Sequence, residues 1–169
     1  MEWKRNNKKI DEPIVDYLEK LFDEELSKNH ILKVAVGTDS QKVRGGTYKF
    51  VTVILISVSE DLGGGVIVGR GGKIVAGSHF NTFKKRNKEL VNERMMYEVA
   101  KSLEVAYQIH DLLDLYDIKM EIHADINPDS KHESNKALQS AVGYILGMGY
   151  EFKVKPDAPA SSNCADKLC

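Results

Sequence analysis

Val34-Ala35-Val36-Gly37-Thr38-Asp39-Ser40-Gln41 is the stretch on which the fold and the chemistry of this sequence depend. Its run of small and β-branched apolar residues predicts a buried strand. The run ends abruptly in four residues that form hydrogen bonds, and one of them, Asp39, is a carboxylate. An ionised carboxylate against a buried strand is costly unless it is paired or bound to a metal ion, or is a turn residue that accepts backbone N–H bonds. These eight residues leave both interpretations open.

A second strand-like run ends in the same way. Residues 118–125 alternate apolar and polar side chains and end in Asp125. If the two strands are parallel and adjacent, both aspartates emerge at the carboxyl edge of one sheet, where open α/β sheets bind ligands. Because like charges repel, a cation is expected between them, and carboxylates favour the hard ions Mg²⁺ or Mn²⁺. Two such ions about 4 Å apart support phosphodiester cleavage.

The composition is that of an ordinary globular domain. The chain has 169 residues, 42% of them hydrophobic and 29% charged, with a formal net charge of −1. This balance excludes an overall positive coat, so contact with nucleic acid would depend on local patches. Cys164 and Cys169 lack zinc-site spacing. No apolar run is long enough to cross a membrane and the N-terminus is polar, so we expect a cytoplasmic protein without a membrane partner.

Hydrophobic periodicity predicts the order β, β, β, α, β, α, β, α after an N-terminal helix. The first three strands have short connections and are expected to be antiparallel, whereas the later two are reached through helices and are expected to be parallel to the first. The glycine-rich stretch at 70–72 predicts a bulge or a second hairpin in the third strand. The predicted fold class is therefore α/β, a five-stranded mixed sheet flanked by helices.

The chain divides into two predicted parts. Residues 1–30 are expected to form an N-terminal helical extension, of which residues 1–9 are frayed, and residues 31–169 form the main domain. The glycines between the strands match no phosphate-loop pattern and do not join a strand to a helix, which disfavours a nucleotide loop. The basic residues at 84–86 and Lys88 are either a phosphate contact or solvated surface.

Several short motifs occur in an order that resembles the ribonuclease H-like superfamily. They are Thr38-Asp39-Ser40 on the first strand, an acidic helix after the third, Asp125 on the fourth, and residues 163–168 near the end. More closely, Gly-Thr-Asp-Ser-Gln at 37–41, His-Ala-Asp-Ile-Asn at 123–127 and Lys-Pro-Asp-Ala at 155–158 are similar to the bacterial YkuK-like family of predicted ribonuclease H-related nucleases. The resemblance spans about residues 32–168. It implies a five-stranded mixed sheet, a two-metal acidic site and a nucleic-acid substrate.

The resemblance also implies roles for individual residues. Asp39 and Asp125 match the superfamily's two strand aspartates, and Asp166 matches its last-helix aspartate, with Asp157 as the alternative. The segment 156–161 contains no histidine, although ribonuclease H enzymes of type one often have one before the last helix. His123 shares a strand face with Asp125, and it is either a functional residue or a hydrogen-bonded structural one.

The helix after the third strand offers two candidate acids, Glu98 and Glu93. On a helical wheel Glu98 lies at the margin of the apolar stripe beside the small Ser102, whereas Glu93 lies towards solvent. We therefore predict Glu98 as the metal-site acid, with Glu93 as the alternate. The full set of predicted catalytic and metal-binding residues is Asp39, Glu98, Asp125 and Asp166, and the predicted substrate-binding residues are Ser40, Gln41 and Asn127.

The sequence thus predicts a hydrolase, a nuclease that uses Mg²⁺ or Mn²⁺ to cleave RNA, DNA or a hybrid. Two alternatives remain, a non-catalytic nucleic-acid-binding module of the same fold and a protein that transfers phosphoryl groups on nucleotides. The four predicted acids disfavour the first alternative. Single-domain length and the missing phosphate loops disfavour the second. The type of nucleic acid, the mode of attack and the oligomeric state are not predicted.

Overall fold

A computed structural model of the chain describes residues 1–83, 88–125 and 134–168. Its strands are β1 (Glu2–Arg5), β2 (Lys8–Lys9), β3 (His30–Arg44), β4 (Thr47–Asp61), β5 (Ile67–Thr82), β6 (Met120–Ala124) and β7 (Glu151–Val154). Its helices are α1 (Ile14–Leu26), α2 (Lys88–Leu115), α3 (Ser134–Gly147) and the short α4 (Asp166–Leu168), which continues a π-helical segment at Ala160–Ala165. No helix within the described ranges is long and apolar enough to cross a membrane.

The strands form one mixed sheet in the order β2-β1-β5-β4-β3-β6-β7. β3, β4 and β5 are antiparallel neighbours, and β6 and β7 are parallel to β3. This arrangement confirms the predicted α/β fold class and the predicted strand directions. In β5 Gly69 pairs with Ser59 and Gly71 with Val58, so Arg70 between them is an extra residue without a partner in the strand ladder. The glycine-rich stretch is therefore a bulge and not a second hairpin.

The described residues form seven strands, so the expected count of five is wrong, as is the expected frayed N-terminus. β1 and β2 form a hairpin whose turn, Asn6-Asn7, has positive φ at both residues, as a tight two-residue turn requires. β1 then pairs with β5, where Gly77 opposes Trp3 and leaves room for its buried ring. The prediction failed because the hairpin is held by the pairing of β1 with β5, a contact between distant residues that the charges of this segment do not reveal.

The two faces of the sheet are covered differently. Helices α1 and α2 pack on one face and form the main core with Val34, Val36 and Ile122. On the other face the π-helical segment crosses β3 and β4, and a smaller cluster of Val51, Val53 and Ala165 lies beneath it. Alternate residues of one strand therefore point to two different layers, which places β3 between the helix layer and the C-terminal segment.

Candidate metal site

Parallel pairing of β3 with β6 places Asp39 and Asp125 side by side. The printed register runs from Val34 opposite Met120 to Thr38 opposite Ala124, and the two aspartates follow one residue later on each strand. Each aspartate shares a face with the residue two positions before it, so both belong to the face that carries the C-terminal segment. Both are partly buried. The carboxyl edge of two adjacent parallel strands thus carries two carboxylates.

Gly37 lets the C-terminal segment approach this edge. A Cβ atom at Gly37 would lie 2.6 Å from the backbone nitrogen of Ser161 and 2.9 Å from the carbonyl carbon of Ala160, closer than a real Cβ can come. Because both contacts are with backbone, they cannot be relieved by a side-chain movement. The absence of a side chain at Gly37 therefore allows close packing of the segment that leads into α4, whose first residue is Asp166.

Glu98 reaches the same edge from α2, on the opposite side of the sheet. It is buried, and the Ser40 hydroxyl donates a hydrogen bond of 2.5 Å to its Oε1. One turn further along α2, the Ser102 hydroxyl lies 2.9 Å from Thr38 Oγ1 and 3.0 Å from the carbonyl oxygen of Glu98. These bonds fix the rotation of α2 against β3. They hold the Glu98 carboxyl next to Ser40, one residue after Asp39 on β3.

The unequal lengths of β3 and β6 explain how acids on the two faces influence one another electrostatically. β6 ends at Ala124, opposite Thr38, whereas β3 continues to Arg44, so the edge of β3 beyond Asp39 is not covered by β6. The pKa of Glu98 is raised to about 7, mainly by burial and in addition by the negative charges of Asp39 and Asp125. The Ser40 hydrogen bond and Arg94 oppose this rise. The three carboxylates therefore share one electrostatic environment.

Two cations balance part of this negative charge. The Arg94 Nε lies 3.8 Å from Glu98 Oε1, its Nη1 donates a 3.4 Å hydrogen bond to the carbonyl oxygen of Ser40, and its guanidinium lies over the Tyr48 ring. On the other side, the Lys155 Nζ lies 2.5 Å from Asp125 Oδ1. Glu98 and Asp125 thus each lie next to a positively charged side chain, which offsets part of the cost of placing carboxylates close together.

His123 is fully engaged in hydrogen bonds and connects the sheet to the C-terminal segment. The backbone N–H of Ala160 donates to its Nδ1 over 3.2 Å, so the proton of a neutral ring lies on Nε2, which donates to Glu121 Oε2 over 3.0 Å. Burial lowers the pKa of His123 and favours this neutral form, although the nearby Glu121 opposes the shift. Lys33 pairs with Glu121 on its solvent side. These contacts support the structural interpretation of His123.

The remaining predicted residues lie in different environments. Gln41 and Asp157 are exposed, and Glu93 is partly buried on α2, whereas Ser40 is buried by its contact with Glu98. Asn127 and the basic residues at 84–86 lie outside the described ranges, as do the side chains of Lys88 and Asp166. Among the side chains that are described, no three from His, Cys, Asp and Glu stand close enough to hold one metal ion.

Neither Arg94 nor Lys155 was among the predicted site residues. The spacing of four residues between Arg94 and Glu98 was a signal for an ion pair on α2. Lys155 had no such signal, because its contact with Asp125 depends on the parallel pairing of β6 with β7, which ends at Ala124 and Val154. Long-range pairings of this kind are set by the fold and not by local spacing.

The fold is that of a known class of protein. The chain matches the ribonuclease H-like family over residues 14–169 and belongs to that family. It is also similar to the uncharacterized protein YkuK of Bacillus subtilis (strain 168), with 29% identity over 148 residues, which cover 80% of this chain and 77% of the relative. No solved structure matched the chain with statistical significance.

Proposed function

We propose that the protein is a nuclease that hydrolyses phosphodiester bonds of nucleic acid with Mg²⁺ or Mn²⁺. The observation that carries this proposal is the position of Glu98, a buried carboxyl whose pKa is raised to about 7 beside Asp39 and Asp125. An ionised carboxylate that is buried here, within the negative potential of two aspartates, destabilises the folded protein despite the nearby Arg94. Such arrangements are typical of functional sites. The ribonuclease H-like family of the chain supports nucleic acid as the substrate class.

The donor set fits a hard divalent ion. It consists of carboxylate oxygens, which Mg²⁺ and Mn²⁺ prefer, and its described members include no thiolate. When bound, such ions supply activation of water and stabilisation of the leaving oxygen. Asp39 and Asp125 would hold them from the strand edge and Glu98 from α2. Asp166, the first residue of α4, is the proposed fourth acid.

The chain's own cations have defined roles in this proposal. Lys155 forms an ion pair with Asp125, so a metal ion would compete with the Lys155 ammonium for that carboxylate. Arg94 is held by the Ser40 carbonyl and the Tyr48 ring, and its guanidinium keeps a fixed positive charge beside Glu98. A guanidinium in that position can contact a phosphate of the substrate. Ser40 orients Glu98, which makes it a positioning residue, whereas exposed Gln41 is the proposed substrate contact.

Cleavage of labelled RNA, DNA and hybrid oligonucleotides in Mg²⁺ or Mn²⁺ tests the proposal. Asp39→Asn, Asp125→Asn and Glu98→Gln should each lower the metal-dependent rate by orders of magnitude, because each removes a proposed ligand. Glu93→Gln, on the same helix, is the matched control and should leave the rate nearly unchanged. Absence of cleavage of every substrate by the native protein would contradict the proposal, as would full activity of the Asp39→Asn protein.

The fourth acid is tested separately. Asp166→Asn should abolish cleavage while preserving the melting temperature, whereas Asp157→Asn should leave cleavage intact, since Asp157 is exposed and its backbone N–H already bonds to Val154. Loss of activity in Asp157→Asn together with full activity in Asp166→Asn would assign the role to Asp157 instead.

A further inference from the structure

The face of the sheet that carries Asp39 also carries a groove that runs away from the acidic edge. The groove has a volume of about 500 Å³, which lies within the usual size of ligand pockets. Its floor is the apolar surface of β4 and β5, including Ile74 and Ala76. One wall is the C-terminal segment and the other is the N-terminal hairpin.

Strand register connects this groove to the candidate metal site. Asp39 pairs with Val51, and Val51 pairs with Ser78, so these residues form one row across a single face of the sheet. Val51 and Ser78 both line the groove. The groove and Asp39 therefore lie on the same face of the sheet, on either side of the C-terminal segment that crosses β3 and β4.

The charge of the groove is positive. Every charged side chain among the described residues that line it is a lysine: Lys4 from the hairpin, Lys49 from β4 and Lys167 from α4. Lys4 lies 3.0 Å from Glu2, but both side chains are half exposed, and pairs of that kind contribute little. Lys49 donates a hydrogen bond to the carbonyl oxygen of Leu168 and so holds the end of α4. An anionic ligand is thus favoured, although the chain has a formal net charge of −1.

An exposed aromatic ring continues the groove surface. Phe80 pairs with Lys49, shares its face of the sheet and is 64% exposed. An exposed ring beside cations is the usual way in which proteins bind single-stranded nucleic acid, with bases stacked on the ring and phosphates next to lysines. A duplex hides the faces of its bases and cannot use such a ring.

We propose that this groove binds single-stranded nucleic acid, with phosphates near Lys4 and Lys167 and a base on Phe80, and that the bound strand continues past the C-terminal segment to the acidic edge. The inference rests on the proposed function, since it assigns a form and a path to the substrate of that site. Within the family's general preference for nucleic acid, the groove selects a single strand over a duplex of the same sequence.

Binding is measured by fluorescence anisotropy in EDTA, so that no cleavage occurs, with a labelled single strand and the duplex of the same sequence. Lys4→Ala combined with Lys167→Ala should weaken single-strand binding at least tenfold and reduce the salt dependence, the slope of log affinity against log salt, by about 1.4. The control combines Lys20→Ala with Lys119→Ala. It removes one paired and one exposed lysine elsewhere and should bind like the native protein.

Phe80 gives an independent readout. In Phe80→Trp, an unlabelled single strand should quench the new tryptophan, whereas Leu115→Trp, at an exposed position on the last turn of α2, should show no change. The native Trp3 is buried and gives a constant background. Phe80→Ala should weaken binding by about tenfold, the size of one lost base stack.

The outcomes separate this inference from the proposed function. If the native protein cleaves nucleic acid but the groove variants bind like the control, or if the duplex binds more tightly, the groove inference is overturned and the nuclease proposal stands. Equal displacement of the strand by poly-glutamate would assign the groove to an acidic peptide and overturn the inference as well. If the native protein neither binds nor cleaves any nucleic acid, both proposals fail.

Discussion

Replacing Glu98 with glutamine should make the protein more stable at alkaline pH. Burial raises the pKa of Glu98 from 4.5 to about 7, so the folded state binds more protons than the unfolded state between these two values. Stability therefore falls as the pH rises through this window. One pKa unit corresponds to about 1.4 kcal/mol, so the ionised carboxylate costs the folded protein on the order of 3 kcal/mol above pH 7. Glutamine removes that cost and keeps an oxygen that accepts the Ser40 hydrogen bond.

The assay is urea unfolding of the native protein and the Glu98→Gln protein in EDTA at pH 5 and pH 8. At pH 5 the two should differ little, because Glu98 is largely protonated in the folded state. At pH 8 the variant should gain about 2 to 3 kcal/mol relative to its difference at pH 5. Saturating Mn²⁺ should reduce this gain, since a bound cation stabilises the native carboxylate. An equal difference at both pH values would refute the interpretation that Glu98 is a destabilising acid kept for function.

Three further changes have defined outcomes. Gly37→Ala should lower the free energy of unfolding by about 1–3 kcal/mol, because its Cβ would collide with the Ser161 backbone, and urea unfolding at the native value would contradict that packing. Lys155→Met should tighten Mn²⁺ binding about two- to fivefold in calorimetry, because the half-exposed ion pair of Lys155 with Asp125 contributes up to about 1 kcal/mol. Weaker Mn²⁺ binding by this variant would show that Lys155 supports metal binding and does not compete with the ion. Burial alone would raise the pKa of Glu25. Hydrogen bonds from a histidine and two lysines outweigh this effect and lower the pKa of Glu25 to about 2. The stabilisation of the folded protein by ionised Glu25 is thus complete above pH 4.5 and is lost as the pH falls towards 2. In thermal unfolding, the Glu25→Gln protein should be less stable than the native protein at pH 7 and equal to it near pH 2. A stability difference that is independent of pH would contradict this.

Most of the central sheet could be predicted from the sequence, because its strands carry strong local signals. The β-branched run at 34–36 and the alternation before Asp125 identify strands, and short or helical connections fix their directions. The order of motifs then indicated the family. These features are properties of contiguous segments and need no knowledge of distant contacts.

The features that the sequence did not predict depend on contacts between residues that are distant in the chain. The N-terminal hairpin depends on the pairing of Trp3 with Gly77, a contact across more than seventy residues that no local pattern reveals. The ion pair of Lys155 with Asp125 likewise depends on how two parallel strands end. The prediction that Glu98 is the metal-site acid rests on helical periodicity, and the structure places Glu98 against Ser40; its role in metal binding stays a prediction.

The central claim is the proposal that Asp39 and Asp125 bind a divalent metal ion at the carboxyl edge of β3 and β6. Electron paramagnetic resonance of added Mn²⁺ measures this directly, because the signal of the free ion falls when Mn²⁺ binds. The native protein should deplete the free-ion signal, and the combined Asp39→Asn and Asp125→Asn protein should not. A control that removes two exposed acids elsewhere, Asp16→Asn with Asp111→Asn, should bind Mn²⁺ like the native protein. Undiminished Mn²⁺ binding by the Asp39 and Asp125 double variant would contradict the claim.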